Sequence, residues 1–190
     1  IPEGSKQSKG LPVVNILHLD DDEEIAAISR LENGSFKDED RAEQFLFFTT
    51  KKGVVKRTSI EKFQNIRTTG IIAITLDPDD ELLSVRVTDG TRDVILGGSN
   101  GKAIRFEESQ IRITGRNASG VRGMRLPEGD TVVGVALIDE TNTDILVVSE
   151  KGYGKKTLKD EYRNQNRGGS GVKTVNITDK NGKLLSLKAV

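Results

Sequence analysis

The chain of 190 residues has no cysteine, one histidine, two tyrosines, four prolines and no excess of either charge. Without cysteine, disulfides and thiolate metal sites are excluded, and a reducing compartment, by default the cytoplasm, is the expected location. The single histidine, His18, stands between Leu17 and Leu19, and no Gly-x-Ser-x-Gly elbow is present. Nucleophilic catalysis therefore has no visible team, and neither catalytic residues nor an autonomous enzyme are expected. No apolar run approaches the roughly 18 to 20 residues that span a bilayer. The opening IPEGSKQSKG lacks the basic and apolar regions of a signal peptide, so no membrane partner is expected. It also lacks an initiating Met and falls inside a repeat, so the chain reads as a piece of a larger protein.

The composition, 34% hydrophobic and 31% charged, is that of a soluble globular protein able to build a core. Lys plus Arg and Asp plus Glu both total 29, and a net charge of zero is no argument for a nucleic-acid partner. The distribution is more telling. Lys51 to Thr69 holds six bases against Glu61, Gly101 to Arg125 six against Glu107 and Glu108, and Lys151 to Lys173 seven against Asp160 and Glu161. Between them, Leu76 to Leu96 carries six acids against Arg86 and Arg92, and Leu126 to Glu150 six acids and no base.

This alternation follows an internal repeat, and periods of about 40 to 50 residues belong to propellers, solenoids and arrays. FLFFTTKKGVVKRTSIEKFQNIRTTGIIAITL (Phe45 to Leu76) superposes on VILGGSNGKAIRFEESQIRITGRNASGVRGMRL (Val94 to Leu126) and on ILVVSEKGYGKKTLKDEYRNQNRGGSGVKTVNI (Ile145 to Ile177). Each reads as an apolar strand, a tight turn at Gly53, Gly101 or Gly152, a second strand bearing bases, a polar loop, and a third strand opened by Gly70, Gly120 or Gly171. A fourth strand follows an acidic turn: ELLSVRV, TVVGVAL, KLLSLKAV. The start of the chain, SKGLPVVNIL and EEIAAISRL, matches only the last two strands of this unit, with Gly10 as the opening glycine. The expected organisation is one domain over 1–190: a partial repeat at 1–31, an inserted polar loop at 32–44, and full repeats at 45–93, 94–142 and 143–190. Helical periodicity is weak except around Ile60 to Gln64. About four strands per fifty residues is the size of a propeller blade, so the fold class is all-β, an incomplete fan of four-stranded blades.

Several motifs compete for a function. YRNQNRGGSGVKT resembles a phosphate loop, but Val172 stands where a Walker A lysine should follow the last glycine, and the loop leads into a strand rather than a helix. No nucleotide cofactor is expected. The acidic run from Asp20 to Glu24 lacks the glycine and spacing of an EF-hand and occupies the turn position of DPDD and PEGD, so it reads as a solvated turn and no metal site is expected. Bases recur at equivalent positions: Lys56 and Arg57, then Arg105, then Lys155 and Lys156 on the second strand; Arg67, then Arg112 and Arg116, then Arg163 and Arg167 before the next glycine. Equivalent positions in a radial repeat predict a basic band around a rim, spaced to track a phosphate backbone, with Thr58, Thr157, Gln64, Asn65, Asn117, Asn164 and Gln165 adding neutral contacts. Ordinary solvated edge protection by lysines explains the same pattern, and the residues alone leave the two readings open.

FLFFTTKKGVVKRT, the pair NIRTTGIIAITL and GRNASGVRGMRL, and EKGYGKKTLKDEYRNQNRGGSGVKT resemble the C-terminal domain of the DNA gyrase A subunit, and less closely that of topoisomerase IV. The resemblance spans almost the whole chain. It implies a β-pinwheel, a propeller-like disc in which a strand passes between neighbouring blades, and a non-catalytic role in binding and bending double-stranded DNA around a basic rim. It implies further partners in the gyrase B subunit, and in the rest of the A subunit, with ATP and magnesium used elsewhere in the holoenzyme. The DNA-contacting set implied comprises Lys56, Arg57, Arg67, Arg105, Arg112, Arg116, Lys155, Lys156, Arg163, Arg167 and Lys173. The family's wrapping heptapeptide, Gln-Arg-Arg-Gly-Gly-Arg-Gly, is similar to Gln165, Asn166, Arg167, Gly168, Gly169, Ser170 and Gly171, with Asn166 and Ser170 replacing bases. Outside the gyrase reading, the alternatives are a topoisomerase IV domain, a propeller-type protein-interaction scaffold, and an enzyme using a pocket between blades.

Overall fold

The computed structural model describes residues 4–12, 15–17, 19, 23–29, 43–67, 69–141 and 143–190. His18, Asp20, Asp21 and Asp22, and most of the 32–44 loop, lie outside these residues. The strands are β1 (Phe45–Thr50), β2 (Val54–Ser59), β3 (Leu82–Thr88), β4 (Asp93–Gly98), β5 (Lys102–Glu107), β6 (Val121–Arg122), β7 (Val132–Ile138), β8 (Asp144–Ser149), β9 (Gly154–Leu158), β10 (Val172–Lys173) and β11 (Leu184–Ala189). The helical signal near Ile60 is a single 3-10 turn, Ile60–Phe63.

Each repeat's first and second strands form an antiparallel hairpin. Phe45 opposes Ser59 and Thr49 opposes Val55; Asp93 opposes Glu107; Asp144 opposes Leu158. The fourth strand then pairs with the first: β3 with β1, β7 with β4, β11 with β8. β1 and β4 lie inside their sheets and are buried along most of their length, which is why they read as continuous apolar runs rather than alternating ones.

The short third strand crosses to the preceding sheet. β6 pairs with β2, setting Val55 against Val121 and Val54 against Arg122, and β10 pairs with β5, setting Ala103 against Val172 and Lys102 against Lys173. The orders are therefore β3-β1-β2-β6 and β10-β5-β4-β7, with β11-β8-β9 as a three-stranded sheet. One expected third strand is absent among the described residues: Gly70 to Leu76 is not a strand. It would need the second strand of an earlier repeat, and the partial repeat matches no such strand; the segment after Gly10 includes residues outside those described.

The fourth strands of successive repeats meet, β11 and β3 each touching β7. They form the inner side of the fan, and the exchange strands β6 and β10 lie at the opposite, outer sheet edges. One apolar cluster, including Phe47, Val55, Leu96, Phe106, Ile111, Met124 and Val132, joins the first two sheets. A second, with Ile95, Ala136, Ile145, Tyr162, Leu184 and Leu187, joins the next pair.

The crossing depends on close backbone approach. Gly171, at φ +74°, opens β10, and a methyl there would stand 2.4 Å from the Ala103 carbonyl oxygen. Gly171→Ala combines a left-handed backbone with a clash against main chain, and is expected to lower stability by about 3 kcal/mol or more. An unchanged urea midpoint would show that β10 is dispensable to the fold.

Candidate nucleic-acid interface

Strand exchange decides where the predicted bases go. β6 and the loop before it close over β2, so Lys56 is 1% exposed and Arg57 8% exposed. The Lys56 ammonium donates to the carbonyl oxygens of Ala73, at 2.5 Å, and Arg116, and lies 5.3 Å from the Phe48 ring centre. Burial, with the nearby Arg116 charge, lowers its pKa to about 8. Arg57 stacks 4.9 Å from the centre of the Phe45 ring, donates to Gly90 O at 3.3 Å and lies 3.7 Å from the fully buried Glu108 carboxylate. The Thr88 hydroxyl at 2.6 Å and the Arg92 amide at 3.3 Å donate to Glu108 Oε2, but its Oε1 accepts no hydrogen bond. Burial raises the Glu108 pKa, outweighing the opposing pull of Thr88, the Arg92 amide and Arg57.

Arg105, at the repeat position of Arg57, is also held inside. Its Nε and Nη2 donate to Asp93 Oδ2 at 3.0 and 2.5 Å, and its Nη1 reaches Lys159 O, Tyr162 O and Asp160 at 3.1, 3.3 and 3.4 Å. Lys156, third in that series, is exposed but lies 2.5 Å from Asp144. Lys56, Arg57 and Arg105 therefore do not stand on the open rim that the repeat pattern predicts. The next repeat covers the second strand and turns those charges inward, where each is matched by carbonyls or carboxylates.

The rest of the set divides differently. Arg67, Arg112, Lys155, Arg163 and Lys173 are exposed; Arg116 and Arg167 are half-buried. In the degenerate heptapeptide, the Gln165 amide donates to Arg105 O at 2.9 Å, the Gly168 amide to Gly123 O at 2.6 Å, and Gly169 O accepts the Arg125 amide at 2.9 Å. Asn166 and Ser170 are exposed, and Gly171 seats against β5 as described. Arg122 and Arg125, missed in the sequence set, are exposed. The signal was available: Arg122 holds in β6 the position that Lys173 holds in β10. Lys102, also exposed, faces Lys173 across the β5–β10 ladder.

The acid-rich turns are braced against neighbouring turns. Asp80 accepts the amides of Lys52 and Glu81 at 2.9 and 2.8 Å, while Asp130 accepts from Ser99 and Lys183 at 2.9 and 3.1 Å. Among the described residues no group of three His, Asp or Glu could hold a metal ion, and no helix is long and apolar enough to cross a membrane. A groove of about 660 Å³ beside Asp89, Asp93 and Asp139 contains Arg92, paired to Asp89 and Asp139 at 2.8 and 2.9 Å.

The repeat, the exchanged strands and the glycine-opened corners are matched by a family model, "DNA gyrase C-terminal domain, beta-propeller", over residues 1–32, 44–89, 92–139 and 143–190. The chain belongs to this family. It is 46% identical over 191 aligned positions to the DNA gyrase A subunit of Staphylococcus epidermidis and equally so to that of Staphylococcus aureus, covering all of this chain and 21% of each relative. It thus spans about a fifth of the length of these gyrase subunits. Among solved structures, the C-terminal domain of DNA topoisomerase IV superposes with a TM-score of 0.84 at 30% identity, over 95% of this chain and 55% of the other. A DNA gyrase A C-terminal domain gives a TM-score of 0.79 at 30% identity, over 96% and 59%. The chain thus has the β-pinwheel fold of this family.

Proposed function

We propose that this gyrase-type domain binds duplex DNA along its outer edge and bends it across successive blades, as a non-catalytic part of a gyrase A subunit. The observation supporting this is the segregation of exposed charge. Arg112, Arg122 and Arg125 of one repeat and Arg163 and Lys173 of the next fall on corners and exchange strands at the outer sheet edges, with Lys102 on β5 opposite Lys173, whereas acids concentrate at the turns before the inner strands. Such a row suits a phosphate backbone and reads no base sequence. In this reading the partners are double-stranded DNA, the B subunit, and the rest of the A subunit, in a cytoplasmic complex whose ATP and magnesium chemistry lies outside this chain. The topoisomerase IV similarity supports a second reading, the C-terminal domain of a topoisomerase IV A subunit.

The test is a salt titration with a random-sequence duplex. About six phosphate contacts predict a log–log slope near −5 and an affinity loss of about 10³-fold between 50 and 200 mM salt. A flat response, or no binding at the lower salt, would favour a protein-interaction scaffold.

A further inference from the structure

Two joints connect the three sheets, and different chemistry locks each. At the first, the Lys56 ammonium bridges Ala73 O and Arg116 O, tying the corner of one repeat to the corner of the next. At the second, the position of Lys56 is taken by Ile104, whose side chain has no donor. There the tie comes from the opposite direction. Arg167 donates through Nε to Gln110 O at 3.2 Å and through Nη1 to Arg122 O at 3.1 Å. The Gln110 side chain completes it, accepting the Arg167 amide at 2.9 Å and donating to Gln165 O at 3.3 Å.

We infer that Lys56 and the Arg167–Gln110 pair are positioning residues, which lock neighbouring corners together and so set the path of bent DNA, rather than phosphate contacts. The inference rests on the proposed DNA binding. A guanidinium whose Nε and Nη1 are directed at carbonyls of two corner segments is oriented by the protein, and Lys56 is buried. What the ties hold in place is the exposed set. Arg122, whose carbonyl accepts from Arg167, is itself an outward-facing base, and Arg125 donates its amide to Gly169 inside the heptapeptide. Losing a tie lets one corner move relative to the next while every exposed charge remains. Binding then persists, but the corners no longer enforce one curvature.

The test uses the full chain and a duplex of about 40 base pairs carrying a dye at each end. Gln110→Leu removes no charge, and Arg167→Lys keeps the charge but loses the fork. Both are expected to bind within about twofold of wild type with an unchanged salt slope, while losing about half or more of the end-to-end energy transfer gained on bending. Lys56→Met should behave alike at the first joint; if it fails to fold, the other two variants still decide. For Arg167→Gln, which removes the charge, a drop in affinity with a slope shallower by about 0.9 would identify a direct phosphate contact and overturn the inference. So would unchanged bending in both Gln110→Leu and Arg167→Lys. Failure of the wild-type chain to bind would sink the proposed function itself, and that is seen before any variant is compared.

Discussion

Replacing Arg112, Arg122, Arg125, Arg163 and Lys173 together by Glu is expected to lower duplex affinity more than about 10³-fold at 50 mM salt, and to flatten the salt slope by about 4 to 5. All five side chains are exposed, so the fold has little to lose. Each change removes one counterion-releasing contact and adds a repulsion against the phosphates. The matching control is Lys52→Glu with Lys180→Glu, exposed bases near the acid-rich turns. It alters charge by the same amount per site and should change affinity by less than about threefold, because charges on another edge are screened beyond about 10 Å. Equal losses from both sets would mean that net charge, rather than the outer edge, drives binding.

Arg57→Met should be the most damaging single replacement for stability among the basic residues named here, and its effect should depend on pH. Met preserves much of the packing on Phe45 but leaves Glu108, fully buried and with one oxygen already unbonded, without its counter-charge. Breaking a buried pair from one side costs about 3 to 5 kcal/mol. The sign with pH follows from the direction of the shift. Glu108 titrates above its ordinary 4.5 in the folded chain, so between the two values the folded state holds more protons than the unfolded. Stability from this group is greatest at or below its unfolded pKa and declines as pH rises through the folded one. Removing Arg57 raises the folded value further. The variant's deficit should therefore be smaller at pH 5 than at pH 8. Adding Glu108→Gln should recover most of the loss at pH 8. Urea denaturation at the two pH values reads this directly, and an equal deficit at both would assign the cost to packing alone.

Local signals carried most of the fold. The tight turns at Gly53, Gly101 and Gly152, the apolar first strands and the acidic turns each announce themselves within a few residues, because turn chemistry and strand periodicity are short-range. Third strands were legible as segments but, among the described residues, two formed ladders, β6 and β10, each where the preceding repeat's second strand offers an acceptor edge. The candidate interface was half legible. Arg112 and Arg163 of the recurring bases are exposed, as is Lys173 of the set implied by the resemblance, while Arg122 was visible only by carrying the position of Lys173 onto the preceding repeat, and Arg125 has no basic counterpart to carry over.

The sequence by itself determined the repeat, the all-β class, the family and the alternation of charge, all of which follow from residue order. Only the tertiary structure decided which bases face solvent. Lys56 and Lys155 occupy the same repeat position, yet the first is buried beneath the next repeat's corner, while the second is exposed on β9, with no exchange strand beside it among the described residues. Exposure is set by what packs against a side chain, and here the covering corner comes from about sixty residues further along the chain.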